Sequence, residues 1–173
     1  MLKQALVLIM MAYIAQSAVS NSNLKLDVSN EPWFVFSEHY GTEEEKGLVV
    51  LFKSIVSDLT KKYKDVYLIR NEKQLKLYSF KGGEGFEPDF ILVLSGNQNE
   101  HPISQYIFIE PKGQHLMQKD QWKENFLLSL EKEALIAPQE KSILAENEKY
   151  MIKGLRFYNV AINSEYAKLL KEL

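Results

Sequence analysis

Across its 173 residues the chain has no cysteine, which excludes thiolate zinc sites and a disulfide framework and agrees with a reducing compartment. The three histidines, His39, His101 and His115, are too scattered for a recognisable zinc pattern. Glycine and proline are sparse, at 8 and 5 residues, and no repeat or low-complexity tract interrupts the sequence. An excess of positive charge is also missing. With 21 basic and 23 acidic residues the net charge is -2, unlike a protein held to nucleic acid mainly by a basic face. No Gly-x-x-x-x-Gly-Lys-Ser/Thr phosphate loop occurs, so ATP hydrolysis is not expected of this chain. What is present is 46% hydrophobic and 25% charged, the composition of a single domain able to bury a core.

One long apolar run breaks this pattern, Ala5 to Ala15 behind Lys3. It has the layout of a secretory leader and is too short to span a membrane comfortably. The competing reading is a helix that packs on the core or on an upstream segment of a longer polypeptide. Residues 1–30 are thus either a leader or an N-terminal helix with its connecting segment, and residues 31–173 are the main domain.

Within the main domain, Thr42 followed by Glu45 forms a capping box. Leu48, Val49, Phe52, Ile55, Val56 and Leu59 then recur at helical spacing, predicting a helix over 43–62. Strands are expected at Val66–Arg70, Leu75–Phe80, Phe90–Leu94 and Tyr106–Ile109, with weaker extended runs over 24–30 and 31–36. A second helix should follow Asp120, then a late strand over 155–162 and a C-terminal helix from Ser164. The order is that of an α/β fold, a mixed β-sheet flanked by helices.

Two short strings carry chemistry: Phe86-Glu87-Pro88-Asp89-Phe90 and Phe108-Ile109-Glu110-Pro111-Lys112-Gly113. Residues two apart in a strand share a face, so Glu110 and Lys112 project together while Pro111 points away. Pairing of the two strands would bring Asp89 to Glu110. Two hard oxygen donors and one cation suit phosphodiester hydrolysis with Mg²⁺, Mn²⁺ being able to substitute. The pattern is the PD-(D/E)xK nuclease signature. Among the acids of the first helix, Glu43 and Glu44 have a sufficient role at its positive end. Glu45 shares the stripe of Val49, Phe52 and Val56 and is the one expected to reach the metal, with Glu44 as the fallback. Gln114, Lys123 and Arg70 are candidate DNA contacts, against the commoner reading of each as a solvated or ion-paired polar residue.

Five ordered strings together resemble the C-terminal endonuclease domain of type III restriction enzyme helicase-nuclease subunits. They are residues 39–46 (HYGTEEEK), 67–72 (YLIRNE), 86–90 (FEPDF), 108–113 (FIEPKG) and 120–124 (DQWKE). The resemblance covers roughly residues 33 to 130. It implies a restriction-endonuclease-like fold and a site-specific deoxyribonuclease with Asp89, Glu110 and Lys112 as catalytic residues. Asp89, Glu110, Glu45 and the Pro111 carbonyl would be the metal ligands. It also implies double-stranded DNA as substrate, an upstream helicase domain that alone would use ATP, a methyltransferase subunit as partner, a cytoplasmic location and no membrane. On that view residues 1–30 are a packing or linking segment rather than a leader.

Overall fold

The computed structural model describes residues 25–36, 38–78, 83–97, 103–134 and 149–173. The N-terminal apolar run lies outside the described residues. The element order is β1 (Lys25–Asp27), β2 (Glu38–Tyr40), α1 (Glu43–Lys62), β3 (Tyr63–Arg70), β4 (Leu77–Tyr78), β5 (Gly85–Phe86), β6 (Phe90–Asn97), β7 (Ile103–Ile109), α2 (Gln121–Ala134), β8 (Lys149–Gly154) and α3 (Asn163–Lys171). No described helix is long and apolar enough to cross a membrane.

The main sheet has the order β3-β6-β7-β8. β3 and β7 both run antiparallel to β6, while β8 runs parallel to β7. A parallel neighbour needs a crossover, and α2 supplies it by packing on β8. Alternation along the strands divides the apolar residues between two faces. Phe90, Leu92, Leu94, Ile107 and Ile109 join Leu48, Phe52, Ile55 and Leu59 of α1 and Tyr166 and Leu170 of α3 in one core. Phe108, with Ile91 and Ile152 beside it, packs with Leu127 of α2, Phe86 and Phe157 in a second core. The molecule is thus a mixed sheet with helices on both faces. β7 is an internal strand, between β6 and β8.

The capping box at Thr42 is formed. Glu45 N–H donates to Thr42 Oγ1 at 3.3 Å, and Thr42 N–H donates to Glu45 Oε2 at 2.6 Å. Helix α1 then runs over the expected residues, ending where Tyr63 turns extended.

Two expectations are corrected. Of the strand expected at Leu75–Phe80, residues 79 and 80 lie outside the described residues; among the others only Leu77–Tyr78 is in strand, and it pairs with β5 in a separate hairpin outside the main sheet. Asn71 causes this turning-away: its Oδ1 accepts from the N–H groups of Gln74 and Leu75, and its Nδ2 donates to the carbonyls of Leu75 and Pro88. The strand expected over 155–162 is instead β8, over Lys149–Gly154. Beyond Gly154 the chain still tracks the preceding strand, with Tyr158 bridging Pro111. From the Phe108–Gly154 pair to that bridge it uses one residue more than its neighbour, so the ladder breaks as a bulge does. Gly154 is required at the break, because a Cβ there would lie 2.2 Å from the Leu127 carbonyl oxygen of α2.

Candidate functional site

The start of β6, the end of β7 and the N-terminus of α1 meet at one end of the sheet. Phe90 pairs with Ile109, which sets Asp89 beside Glu110. The Asp89 N–H donates to Glu110 Oε2 at 3.0 Å, and its carbonyl accepts from the Asn71 N–H at 2.8 Å. Lys112 Nζ lies 2.8 Å from Glu110 Oε1 and 2.9 Å from Asp120 Oδ2. Glu45, Asp89, Pro111, Lys112 and Gln114 line a common cleft of about 560 Å³.

Electrostatics distinguish the members of this group. Burial, together with the negative charges of Glu110 and Glu45, pushes the Asp89 carboxyl up to about 8, against the weaker opposing effect of Lys112. Burial by itself would lower the Lys112 ammonium, but its hydrogen bonds to Glu110 and Asp120 outweigh this and leave it above its ordinary value. The bond from Lys112 holds Asp120 below the usual carboxylate range. Lys112 is therefore a firmly charged cation between two acids, and Asp89 is an acid short of a cation.

Glu45 is held from both sides. Oε2 takes the Thr42 N–H, and Oε1 lies 3.2 Å from Arg70. Arg70 also faces Glu72, at 3.3 Å, and His39 Nδ1, at 3.5 Å. Burial, then the charges of Arg70 and Lys46, drives His39 down to about 3, so it is neutral between the rings of Phe34 and Phe90. Gly41 permits this crowding, since a Cβ there would lie 2.7 Å from His39 Nε2 and 2.9 Å from Glu45 Oε2.

The structure brings together Asp89, Glu110, Pro111, Lys112, Glu45 and Gln114 and gives the remaining candidates other posts. Arg70, considered as a DNA contact, is largely buried and directed at Glu45, Glu72 and His39. Lys123 sits 3.3 Å from the same Asp120 oxygen that Lys112 uses, over the rings of Phe86 and Trp122. Glu44 accepts from Asn159 Nδ2 at 3.2 Å and from the Val160 N–H at 2.8 Å, anchoring α1 to the segment after the bulge.

Three residues of this arrangement were not singled out from the sequence as part of the site. Asp120 marks only the start of the second helix in the sequence, yet its carboxylate serves Lys112. Asn159, which is buried, donates to the Lys112 carbonyl at 2.9 Å. Asn71 fixes the Pro88-Asp89 approach. The recurrence of Asn71 and Asp120 inside the resembling strings was a signal available for two of them; Asn159 lies outside those strings.

Carboxylates and a carbonyl are the oxygen donors that Mg²⁺ and Mn²⁺ take. The two hydrogen bonds of the Pro111–Tyr158 bridge use the Glu110 carbonyl and the Lys112 N–H, and so bypass the Pro111 carbonyl. Each Glu110 oxygen has one protein partner in these contacts, and a carboxylate offers about four acceptor positions. The donor set therefore fits such an ion in kind. Among the described residues, however, no three His, Asp or Glu side chains are already gathered at coordinating separation.

A Haemophilus influenzae protein named only as an uncharacterized protein is 36% identical over 167 residues, covering 90% of this chain and 35% of the relative. The chain thus spans about a third of the length of the curated relative it matches. No solved structure matches. A family described as HI_1054_C, C-terminal domain, matches residues 7–173, and the chain belongs to that family.

Proposed function

We propose that this chain is a divalent-metal-dependent DNA endonuclease domain of the PD-(D/E)xK, restriction-endonuclease-like fold, hydrolysing phosphodiester bonds in double-stranded DNA. The observation that carries the reading is Glu110 lying between Asp89 and Lys112, both of which line the cleft, with Asp89 pushed upward by burial and by its acidic neighbours. Like charges crowded without a matching cation are the condition that a bound metal relieves. Asp89, Glu110 and the Pro111 carbonyl would hold Mg²⁺ or Mn²⁺, with Glu45 reached directly or through water. Such an ion, when bound, lowers the pKa of water and neutralises phosphate charge.

The chain's own groups do the rest. Lys112 stays charged between Glu110 and Asp120, so its ammonium can orient a water for in-line attack and offset charge developing on the phosphate. Asn159 and the Tyr158 bridge fix the Lys112 backbone, which limits how far the ammonium can wander. Cleavage would leave a 5′-phosphate and a 3′-hydroxyl.

On the resemblance to type III restriction subunits, the proposal extends to a helicase motor upstream and a site-reading methyltransferase subunit as partner, in a bacterial cytoplasm. The family's description as a C-terminal domain and the greater length of the Haemophilus influenzae relative agree with the domain belonging to a longer polypeptide and bear on nothing more of that arrangement.

One observation favours a second reading, a DNA-holding module of the same fold without catalysis: among the described residues no metal-ready trio of side chains exists. Plasmid DNA incubated with the protein and Mg²⁺ separates the two. The nuclease reading expects nicked and linear products that disappear in Lys112→Ala and Asp89→Ala; cleavage as strong in those variants as in the parent would end it.

A further inference from the structure

Beside the cleft lies an aromatic surface that the hydrolytic chemistry does not use. Trp122, in the first turn of α2, is 40% exposed, whereas the other tryptophan, Trp33, is 6% exposed and packs against Phe52. The Trp122 indole is braced by a T-shaped contact with Phe86, at 6.4 Å between centroids. Lys123 Nζ lies 5.9 Å from the Trp122 ring and 5.7 Å from Phe86.

This surface is tied to the candidate site twice. Phe86 stands three residues before Asp89 in the chain. Lys123 and Lys112 share one oxygen of Asp120, at 3.3 and 2.9 Å. A ligand spanning the Trp122 ring and the Lys123 ammonium would continue directly to Lys112.

We infer that Trp122 and Lys123 form a binding surface for unpaired nucleotides flanking the scissile phosphate. This deepens the nuclease reading, and DNA as the ligand rests on that reading. An exposed, braced indole offers a stacking surface to a base, and a neighbouring ammonium suits the phosphate that follows it. Bases inside a duplex are already stacked on one another, so only an unpaired or extruded base can use such a ring. The net charge of -2 supports the same conclusion, because affinity not supplied by a basic face has to come from contacts such as stacking. Lys123 adds positive charge where the acidic cleft would otherwise repel the strand. Asp120 orients that ammonium and the one on Lys112 together.

The test uses the 173-residue chain with Ca²⁺ in place of Mg²⁺ and an oligothymidylate as probe. Binding should quench the emission of exposed Trp122 while the buried Trp33 component persists. Anisotropy of the labelled oligonucleotide should report an affinity about 5- to 100-fold weaker in Trp122→Ala, restored in Trp122→Phe. Persistence of the Trp33 emission in Trp122→Ala checks that this variant is folded. A duplex of equal length should bind more weakly than the single strand. Absence of quenching, equal affinity of Trp122→Ala and the parent, or equal affinity for duplex and single strand would overturn the inference. Plasmid cleavage is scored separately: an inactive protein whose Trp122 emission is still quenched counts against the nuclease reading alone, and an active one without quenching counts against this surface alone.

Discussion

Glu45 and Asp89 are two acids of one cleft with opposite local arrangements. Glu45 sits at a helix N-terminus, where its two oxygens meet the Thr42 N–H and the Arg70 guanidinium. Asp89 gives its N–H to Glu110 and its carbonyl to Asn71, while its carboxyl is left among negative neighbours. The first acid is given its partners by the fold itself. The second makes the fold more costly until a proton or a cation arrives. Buried charges with assigned partners read as architecture, and a buried charge without one reads as a site.

The largest effect should come from removing the acid that is short of a cation. Asp89→Asn is expected to lower DNA cleavage by at least about 100-fold, and Glu45→Gln by clearly less, since Gln preserves the capping box. Single-turnover cleavage of both variants measures the difference, and equal losses would erase the distinction between the two acids.

The architectural acids should dominate stability. Arg70→Ala leaves Glu45 and Glu72 buried without their cation and should cost about 3–5 kcal/mol in urea unfolding. Gly41→Ala should cost less, about 1–3 kcal/mol, because the new Cβ presses on His39 and Glu45, whose side chains must shift. A neutral outcome at either position would show that the packing around Glu45 is looser than these contacts imply.

The smallest effect is a slope. An acid whose folded-state value is raised binds more protons folded than unfolded over the interval between the two values. The metal-free protein should therefore lose stability as pH rises from about 4, the ordinary Asp value, toward about 8. Asp89→Asn should flatten that loss, which unfolding midpoints across the interval would reveal. The same slope in parent and variant would move the destabilising acid elsewhere.

Much of this comparison was legible in the chain. Thr42 and Glu45 announced α1 because the capping box is a local pattern. The continuous β-branched and aromatic runs Phe90–Leu94 and Tyr106–Ile109 announced the strand pair that sets Asp89 beside Glu110. What escaped were partners brought in by loops from a distance. Asp120 resembled a helix cap, and nothing nearby in sequence marked its carboxylate as the partner of Lys112. Asn159 reaches back 47 residues to the Lys112 carbonyl, a distance no periodicity encodes. Arg70 carried a charge suited to DNA, and only the packing of β3 against α1 turned it inward toward Glu45. The late strand was misplaced because Leu155, Phe157 and Tyr158 are as buried as strand residues while the bulge takes them out of the ladder.

The central claim is that Asp89 is an acid waiting for a divalent cation, and calorimetric titration of the metal-free protein with Mn²⁺ near pH 7 tests it most directly. The account predicts saturable binding accompanied by proton release, as the ion displaces the proton that Asp89 retains, with both signals lost in Asp89→Ala. Binding that persists unchanged in Asp89→Ala, or no binding by the parent, would contradict it.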